Sequence, residues 1–208
     1  MKAYVLHGIN DIRLEETAKP RAREDEVLIK VKAAGICGSD IPRIYTTGTY
    51  SFPLIPGHEF SGVVEEAGGA KGREWLGKRV GIYPLIPCGE CISCRKKQYE
   101  MCRHYNYLGS RCDGGFAEYV AVPVWNLIEL PEETTFQEAA MLEPMSVAVH
   151  AIRQMSLDGR ETVAVIGLGT IGLFLTMFLK EMGIGRILAV GNKDFQREMA
   201  AKQGIPSD

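Results

Sequence analysis

Four of the six cysteines fall within the fifteen residues Cys88–Cys102, as Cys-Gly-Glu-Cys-Ile-Ser-Cys, seven further residues and a fourth Cys. This C-x2-C-x2-C-x7-C spacing lets four thiolates close a tetrahedral shell around Zn²⁺ with no position left for water. Cys88, Cys91, Cys94 and Cys102 are therefore expected to form a structural zinc site, holding a loop with little apolar surface of its own. An iron–sulfur cluster is an alternative with the same opening, but the ferredoxin run continues x3-C-P and this one x7-C-R. A disulfide pair would need an oxidising compartment. Met1-Lys2-Ala3-Tyr4 begins an ordinary strand rather than a secretory leader, so a reducing cytoplasm is expected.

With 208 residues, 46% hydrophobic and 24% charged, the chain can build one real core or two small ones. The net charge of −2, with no basic block longer than Arg95-Lys96-Lys97, argues against nucleic acid or an acidic surface as a partner. The best apolar run, Ile171 to Met177, is far short of a membrane span, so no membrane partner is expected.

Lys2–His7, Ile12–Glu16 and Glu26–Ala33 read as short strands. In the third, Val27, Ile29, Val31 and Ala33 alternate with Leu28, Lys30, Lys32 and Ala34, the period of a strand with one buried face. Gly35-Ile-Cys-Gly-Ser-Asp40 follows, its glycines permitting close backbone approach around Cys37, and then a turn-rich loop to Pro56. Gly57-His58-Glu59 enters a strand over Phe60–Glu66, and Arg79–Tyr83 leads into the cysteine run. Gly114–Val120 and Leu127–Leu130 complete an all-β half of short strands joined by Gly/Pro turns.

The pattern changes at Pro131. Thr135-Phe-Gln-Glu138 is a capping box, and Pro144 sits where a second helix would begin. Thr162–Ile166 reads as a strand buried on both faces of a parallel sheet. Gly167-Leu168-Gly169-Thr170-Ile171-Gly172 follows at once, then a helical stripe of Ile171, Phe174, Leu175, Phe178, Leu179 and Met182. Gly183 stops that helix, Ile187–Val190 is the next buried strand, and Asp194 can cap a last helix ending at Gly204. A GxGxxG between a strand and a helix places backbone N–H groups and a helix dipole where a pyrophosphate can sit, so this loop is expected to bind a dinucleotide. The place of the ribose-binding carboxylate holds Gly191, followed by Asn192 and Lys193. A missing carboxylate beside a lysine leaves NADP at least as suitable as NAD.

Cys37, His58 and Glu143 offer a thiolate, an imidazole and a carboxylate, each at an element boundary, and three ligands would leave Zn²⁺ a fourth position for substrate. Each also has an ordinary use: a tight turn, a core or surface histidine, a helix end. Gly35–Asp40, Gly57–Gly62, Cys88–Cys102, Gly114–Tyr119, Leu142–Val147 and Gly167–Gly172 together resemble, in order and spacing, the zinc-dependent medium-chain alcohol dehydrogenases. Glu143-Pro144 is similar to the polyol dehydrogenase branch.

The resemblance implies a GroES-like β domain over residues 1–150, followed over residues 151–208 by the first half of a Rossmann domain, a doubly wound parallel sheet. It implies a catalytic zinc on Cys37, His58 and Glu143, with Glu59 able to replace Glu143 or a water, Ser39 receiving the alcohol proton and Asp40 orienting His58. It further implies hydride transfer between a secondary hydroxyl of a polyol or polyol phosphate and NAD(P), and a homo-oligomer at full length. Where many relatives carry a proton-relay histidine this chain has Pro42, so the relay must end differently. Only two Rossmann strands can be drawn before Asp208, of the roughly six in a complete sheet. The rival readings are therefore a catalytically incomplete zinc-binding fragment, another zinc alcohol or threonine-type dehydrogenase, or a zinc-free quinone reductase, against which Cys37, His58 and Glu143 argue. Arg43 and Arg111 are candidates for a substrate phosphate, while Cys112 is left as a thiol with no assigned role.

Overall fold

The computed structural model describes residues 1–205 and divides into a unit spanning Met1–Glu143 and another from Pro144 on. In the first, β1 (Lys2–Gly8) and β2 (Asp11–Glu16) form an antiparallel hairpin. Beyond it run β3 (Glu26–Gly35), α1 (Asp40–Tyr45), β4 (Glu59–Ala67), β5 (Arg79–Ile82), β6 (Leu85–Ile86), α2 (Ile92–Arg95), β7 (Asn106–Tyr107), β8 (Tyr119–Pro123), β9 (Leu127–Glu129) and α3 (Phe136–Ala140). An antiparallel sheet in the order β8-β3-β4-β5-β9 carries the core, in which Val27, Ile29, Phe60, Val64, Val80, Ile82, Val120 and Val122 are buried together. Each such side chain contributes on the order of 1.5–3 kcal/mol of apolar burial, so this sheet is the stable frame for the loops that leave it.

Two local patterns differ from the sequence reading. In β3 the alternation holds only from Lys30 onward: Val27, Leu28 and Ile29 are all buried, because the strand is paired on both sides and a bulge shifts its register between Leu28 and Ile29. The stretch read as a loop after Cys37 contains the helix α1. Pro42 does not prevent it, because in the first helical turn the missing N–H has no partner to lose.

β6 and β7 pair at the neck of the cysteine lobe, with Leu85 opposite Tyr107 and Ile86 opposite Asn106. Buried Asn126 closes that neck by donating from Nδ2 to the carbonyls of Tyr83 and Leu85, at 2.6 and 2.8 Å. Just before His58, three backbones cross. A Cβ on Gly114 or Gly109 would lie 2.0 or 2.4 Å from the Gly57 carbonyl oxygen, and Gly57 itself has φ +95°. Only glycines fit such a crossing, and Gly115 N–H donates to the Gly57 carbonyl across it at 2.8 Å.

The second unit is a β-α-β-α run. The helix α4 (Leu142–Arg153) begins at the end of the first unit and passes through the expected boundary at residue 150. Then come β10 (Thr162–Ile166), α5 (Thr170–Glu181), β11 (Arg186–Val190) and α6 (Asp194–Lys202), with β10 and β11 parallel. Their core gathers Ile152, Val165, Leu168, Leu179, Ile187 and Ala189. The expected two-sided burial of β10 and β11 is corrected: Ile166, Leu188 and Val190 are 85%, 42% and 44% exposed, since among the described residues helices pack on one face of this two-stranded sheet only. The buried stripe of α5 is also displaced from the expected one. Gly172, Thr176 and Leu179 are buried while Met182 is exposed, and Thr176 satisfies its hydroxyl on the Leu173 carbonyl at 2.7 Å. Asp194 is the first residue of α6 rather than its cap, and its carboxylate pairs with Arg197. Gly183, at φ +82°, ends α5 as expected, and Gly204 follows α6 at φ +71°. Among the described residues no helix is long and apolar enough to cross a membrane.

Candidate active site

The Cys88–Cys102 lobe folds so that four sulfurs converge. Sγ–Sγ distances are 3.5 Å for Cys91–Cys94 and 3.9 Å for Cys88–Cys94 and Cys91–Cys102. A tetrahedron with metal–sulfur arms of ~2.3 Å has edges of about 3.8 Å, whereas a disulfide needs about 2.05 Å, so the spacing fits ligands around an ion and not a bridge. Backbone N–H groups of Cys94 and Arg103 aim at Cys91 and lower its thiol to about 6, while those of Cys88 and His104 lower Cys102. Burial instead raises the Cys94 thiol to about 12, so the stabilised thiolates a zinc ion requires are those of Cys91 and Cys102. All six cysteines are unbridged.

A second cluster forms where β3 ends, α1 begins and β4 begins. One ligand atom each from Cys37, His58 and Glu59 lie within 4.8 Å of one another. The register that sets Gly35 opposite Glu59 makes this possible, since a Cβ on Gly35 would lie 2.5 Å from Glu59 Oε2. Burial raises the Glu59 carboxyl above its ordinary value. Burial alone would lower His58, but Asp40 and Cys37 outweigh it and push the imidazole up to about 10. His58 Nδ1 lies 3.4 Å from Asp40 Oδ1, a charge contact not aligned as a hydrogen bond. Asp40, fully buried, also accepts from Cys37 N–H at 3.0 Å and from Arg43 Nη1 at 3.2 Å. Ser39 Oγ donates to Cys37 Sγ at 3.3 Å and accepts from Arg43 Nη1 at 2.9 Å.

Glu143 is not one of the three converging ligands. Its Oε1 accepts from Tyr107 OH at 3.1 Å, although its charge is near enough to raise Glu59. Tyr107 was not apparent from sequence. It stands edge-on to His58 with ring centroids 5.9 Å apart, and burial together with Glu143 holds its phenol well above the usual range. Its position follows from the β6–β7 pairing, which no local motif announces. Arg43, which ties Ser39 to Asp40, lines an open cleft of about 350 Å³ with Thr47, Gly48, Thr49 and Tyr50. Pro42 is structural here: its carbonyl receives Thr46 and Thr47 N–H at 2.9 and 2.7 Å.

In the second unit Gly167 has φ +98° and receives β11 through its N–H on the Val190 carbonyl at 2.8 Å. Gly169 caps α5, and a Cβ on Gly172 would lie 1.9 Å from the Gly167 carbonyl oxygen, so the loop closes only with glycine there. Leu168 turns its side chain into the core, leaving its backbone beside Thr170 and Ile171 in the first turn of α5. The helix N-terminus is open to an anion in the way a pyrophosphate needs. At the end of β11, Gly191 packs on Leu168, Asn192 and Lys193 are exposed, and Arg197 Nη1 donates to the Gly191 carbonyl at 2.6 Å. Arg197 is a second cation at this place that sequence reasoning missed, being six residues on and brought back by the first turn of α6.

The chain is similar to several known dehydrogenases. The chain is 36% identical over 191 residues to galactitol 1-phosphate 5-dehydrogenase of Escherichia coli K12, covering 91% of this chain and 55% of that protein. The crystal structure of the Escherichia coli galactitol-1-phosphate dehydrogenase superposes with a TM-score of 0.91 at 35% identity, covering 100% and 60%. Sorbitol dehydrogenase of Bacillus subtilis is 34% identical over 210 residues, 98% of this chain and 59% of that protein. A short chain alcohol dehydrogenase of Escherichia coli CFT073, complexed with cofactor NADH, gives a TM-score of 0.93 at 32% identity, covering 100% and 62%. The chain thus spans 55–62% of the length of these proteins. Residues 23–132 match the alcohol dehydrogenase GroES-like domain, and the chain belongs to that family.

Proposed function

We propose that this chain carries the zinc centres and the first dinucleotide-binding elements of an oxidoreductase that moves a hydride between a secondary hydroxyl of a polyol or polyol phosphate and NAD(P). The observation that carries the reading is the convergence of Cys37, His58 and Glu59 beside Ser39, whose hydroxyl accepts from Arg43, a residue that lines an open cleft. With Nδ1 turned to Asp40, His58 would offer Nε2 to a zinc ion and Cys37 and Glu59 would complete the set, Glu143 being the other carboxylate whose charge reaches Glu59. A zinc ion held there supplies the Lewis acidity that makes a substrate hydroxyl easier to deprotonate. Ser39, whose hydroxyl Arg43 holds in place, would receive that proton as it hands its own on to solvent. A bound nicotinamide would supply the hydride acceptor, the alcohol carbon being oxidised to a carbonyl. The zinc sites lie on the catalytic domain, residues 1–150, and the dinucleotide is bound by residues 151–208, its pyrophosphate at Gly167–Gly172. Lys193 and Arg197 at the end of β11 favour a cofactor with a 2′-phosphate.

Metal analysis and turnover test the reading together. Each chain should bind one zinc per cluster, and a panel of polyols and polyol phosphates should reduce NAD or NADP. His58→Ala should lose one zinc and the reduction while retaining the other zinc. A His58→Ala protein that oxidises substrate at the parental rate would remove the metal mechanism.

A further inference from the structure

Arg111 occupies an unusual place for a surface arginine. Its guanidinium carbon sits 3.9 Å from the Tyr50 ring centroid and 4.3 Å from that of Tyr105, so an aromatic ring contacts it from each of two loops. Cation–π contact neutralises none of its charge, and Arg111 enters no ion pair among the described residues. Its Nε is buried without a hydrogen-bond acceptor. Burial works against its charge and Tyr105 and Tyr50 raise its pKa, but no acceptor is aligned on Nε, which leaves that donor for one supplied from outside the protein. Tyr50, 69% exposed, is also a wall of the cleft that Arg43 lines, and Thr49 Oγ1 donates to the Ser110 carbonyl at 2.5 Å, tying that wall to the loop bearing Arg111. The cleft therefore has at one wall Arg43, which donates to the Ser39 hydroxyl, and at another Tyr50, the ring that contacts Arg111.

We propose that Arg111, with Arg43, recognises an oxyanion on the substrate, so that the site selects a polyol phosphate monoester over the corresponding neutral polyol. The substrate class rests on the function proposed above, while the anion pocket does not. A guanidinium packed between rings keeps the edge of its fork for an acceptor in its plane, and phosphate matches that fork with two parallel hydrogen bonds. Arg111 touches none of the metal-binding residues, so it acts on binding of the distal group and not on the chemistry.

Zinc-loaded chain would be titrated calorimetrically with inorganic phosphate, a hexitol and its 1-phosphate, using the parent, Arg111→Gln and Arg111→Lys, with zinc content and melting temperature recorded for each. The parent should bind the phosphate ester at least about tenfold more tightly than the hexitol. Arg111→Gln should abolish that advantage and the binding of inorganic phosphate while leaving hexitol affinity and zinc content unchanged, and Arg111→Lys should retain part of it. An Arg111→Gln protein that keeps the parental ester-to-hexitol ratio overturns the proposal, and a lowered melting temperature alongside would make Arg111 a clamp on the Thr47–Tyr50 loop. Absence of phosphate binding by the parent overturns it as well. Arg111-dependent binding of inorganic phosphate without binding of either hexitol keeps the anion pocket and removes the polyol reading instead.

Discussion

Asp40 is a carboxylate without solvent exposure that answers to three groups at once, the Cys37 N–H, the Arg43 guanidinium and the His58 imidazole. Because it faces both a ligand backbone and a ligand ring, Asp40→Asn should weaken zinc at the Cys37–His58–Glu59 cluster by about 10–100-fold. Chelator competition measures this, and a change under about twofold would show that Asp40 only caps α1. In the other cluster, Cys94→Ser replaces one thiolate of a closed shell, so that zinc and the fold of the lobe should be lost while the first cluster keeps its metal; equal zinc content in parent and variant would sink the four-cysteine assignment. The four cysteines were legible in sequence because ligand spacing within fifteen residues is a local signal. Which carboxylate converges with Cys37 and His58 was not, since it depends on Gly35 making room opposite Glu59 and on Tyr107 holding Glu143, contacts set by strand pairing. Lys193 could be read at the end of β11, whereas Arg197 could not, because a helical turn had to bring it back.

The elements divide in the same way. The capping box at Thr135 was readable because its partners are three residues apart, and it forms as expected: Glu138 N–H donates to Thr135 Oγ1 at 3.2 Å and Thr135 N–H to Glu138 Oε2 at 2.8 Å. Thr135→Ala should lower stability by about 1 kcal/mol in chemical denaturation, and no change would mean that α3 is held by its packing on β3, β4 and β5 alone. Helix α1 escaped sequence reading because Pro42 resembles a turn residue until its place in the first helical turn is known. The glycine loop was legible in full, and its geometry sharpens the test. Gly172→Ala drives a Cβ into the Gly167 carbonyl, so nucleotide affinity should fall at least about tenfold with both zinc ions retained. Unchanged binding of NAD and NADP by that variant would place the dinucleotide elsewhere. Gly191→Asp is a less clean probe of cofactor choice, since its Cβ would lie 3.0–3.2 Å from the buried Leu168 side chain. Lys193→Ala avoids that contact and should shift the NADP-to-NAD affinity ratio toward NAD by several-fold if this lysine reads the 2′-phosphate.

Across the whole molecule, the two units differ in how completely they bury what they carry. The first carries both clusters of candidate metal ligands on loops that leave its sheets, whereas the second has a sheet of two strands with apolar side chains on an exposed face. The alternation of charged and apolar residues that makes a half-wet strand recognisable is missing from Thr162–Ile166, which is why its sequence reads as buried while its face is open. Among the described residues, Ile166, Leu188 and Val190 on that face adjoin two strand edges with no pairing strand, a combination that templates strand addition between copies. Light scattering at rising concentration should therefore show this chain limited by its colloidal behaviour before its thermal stability. Replacing Ile166 by Thr, which keeps β-propensity while wetting the face, should delay the onset of scattering and reduce dye binding to exposed apolar surface, and it should do so without altering zinc content.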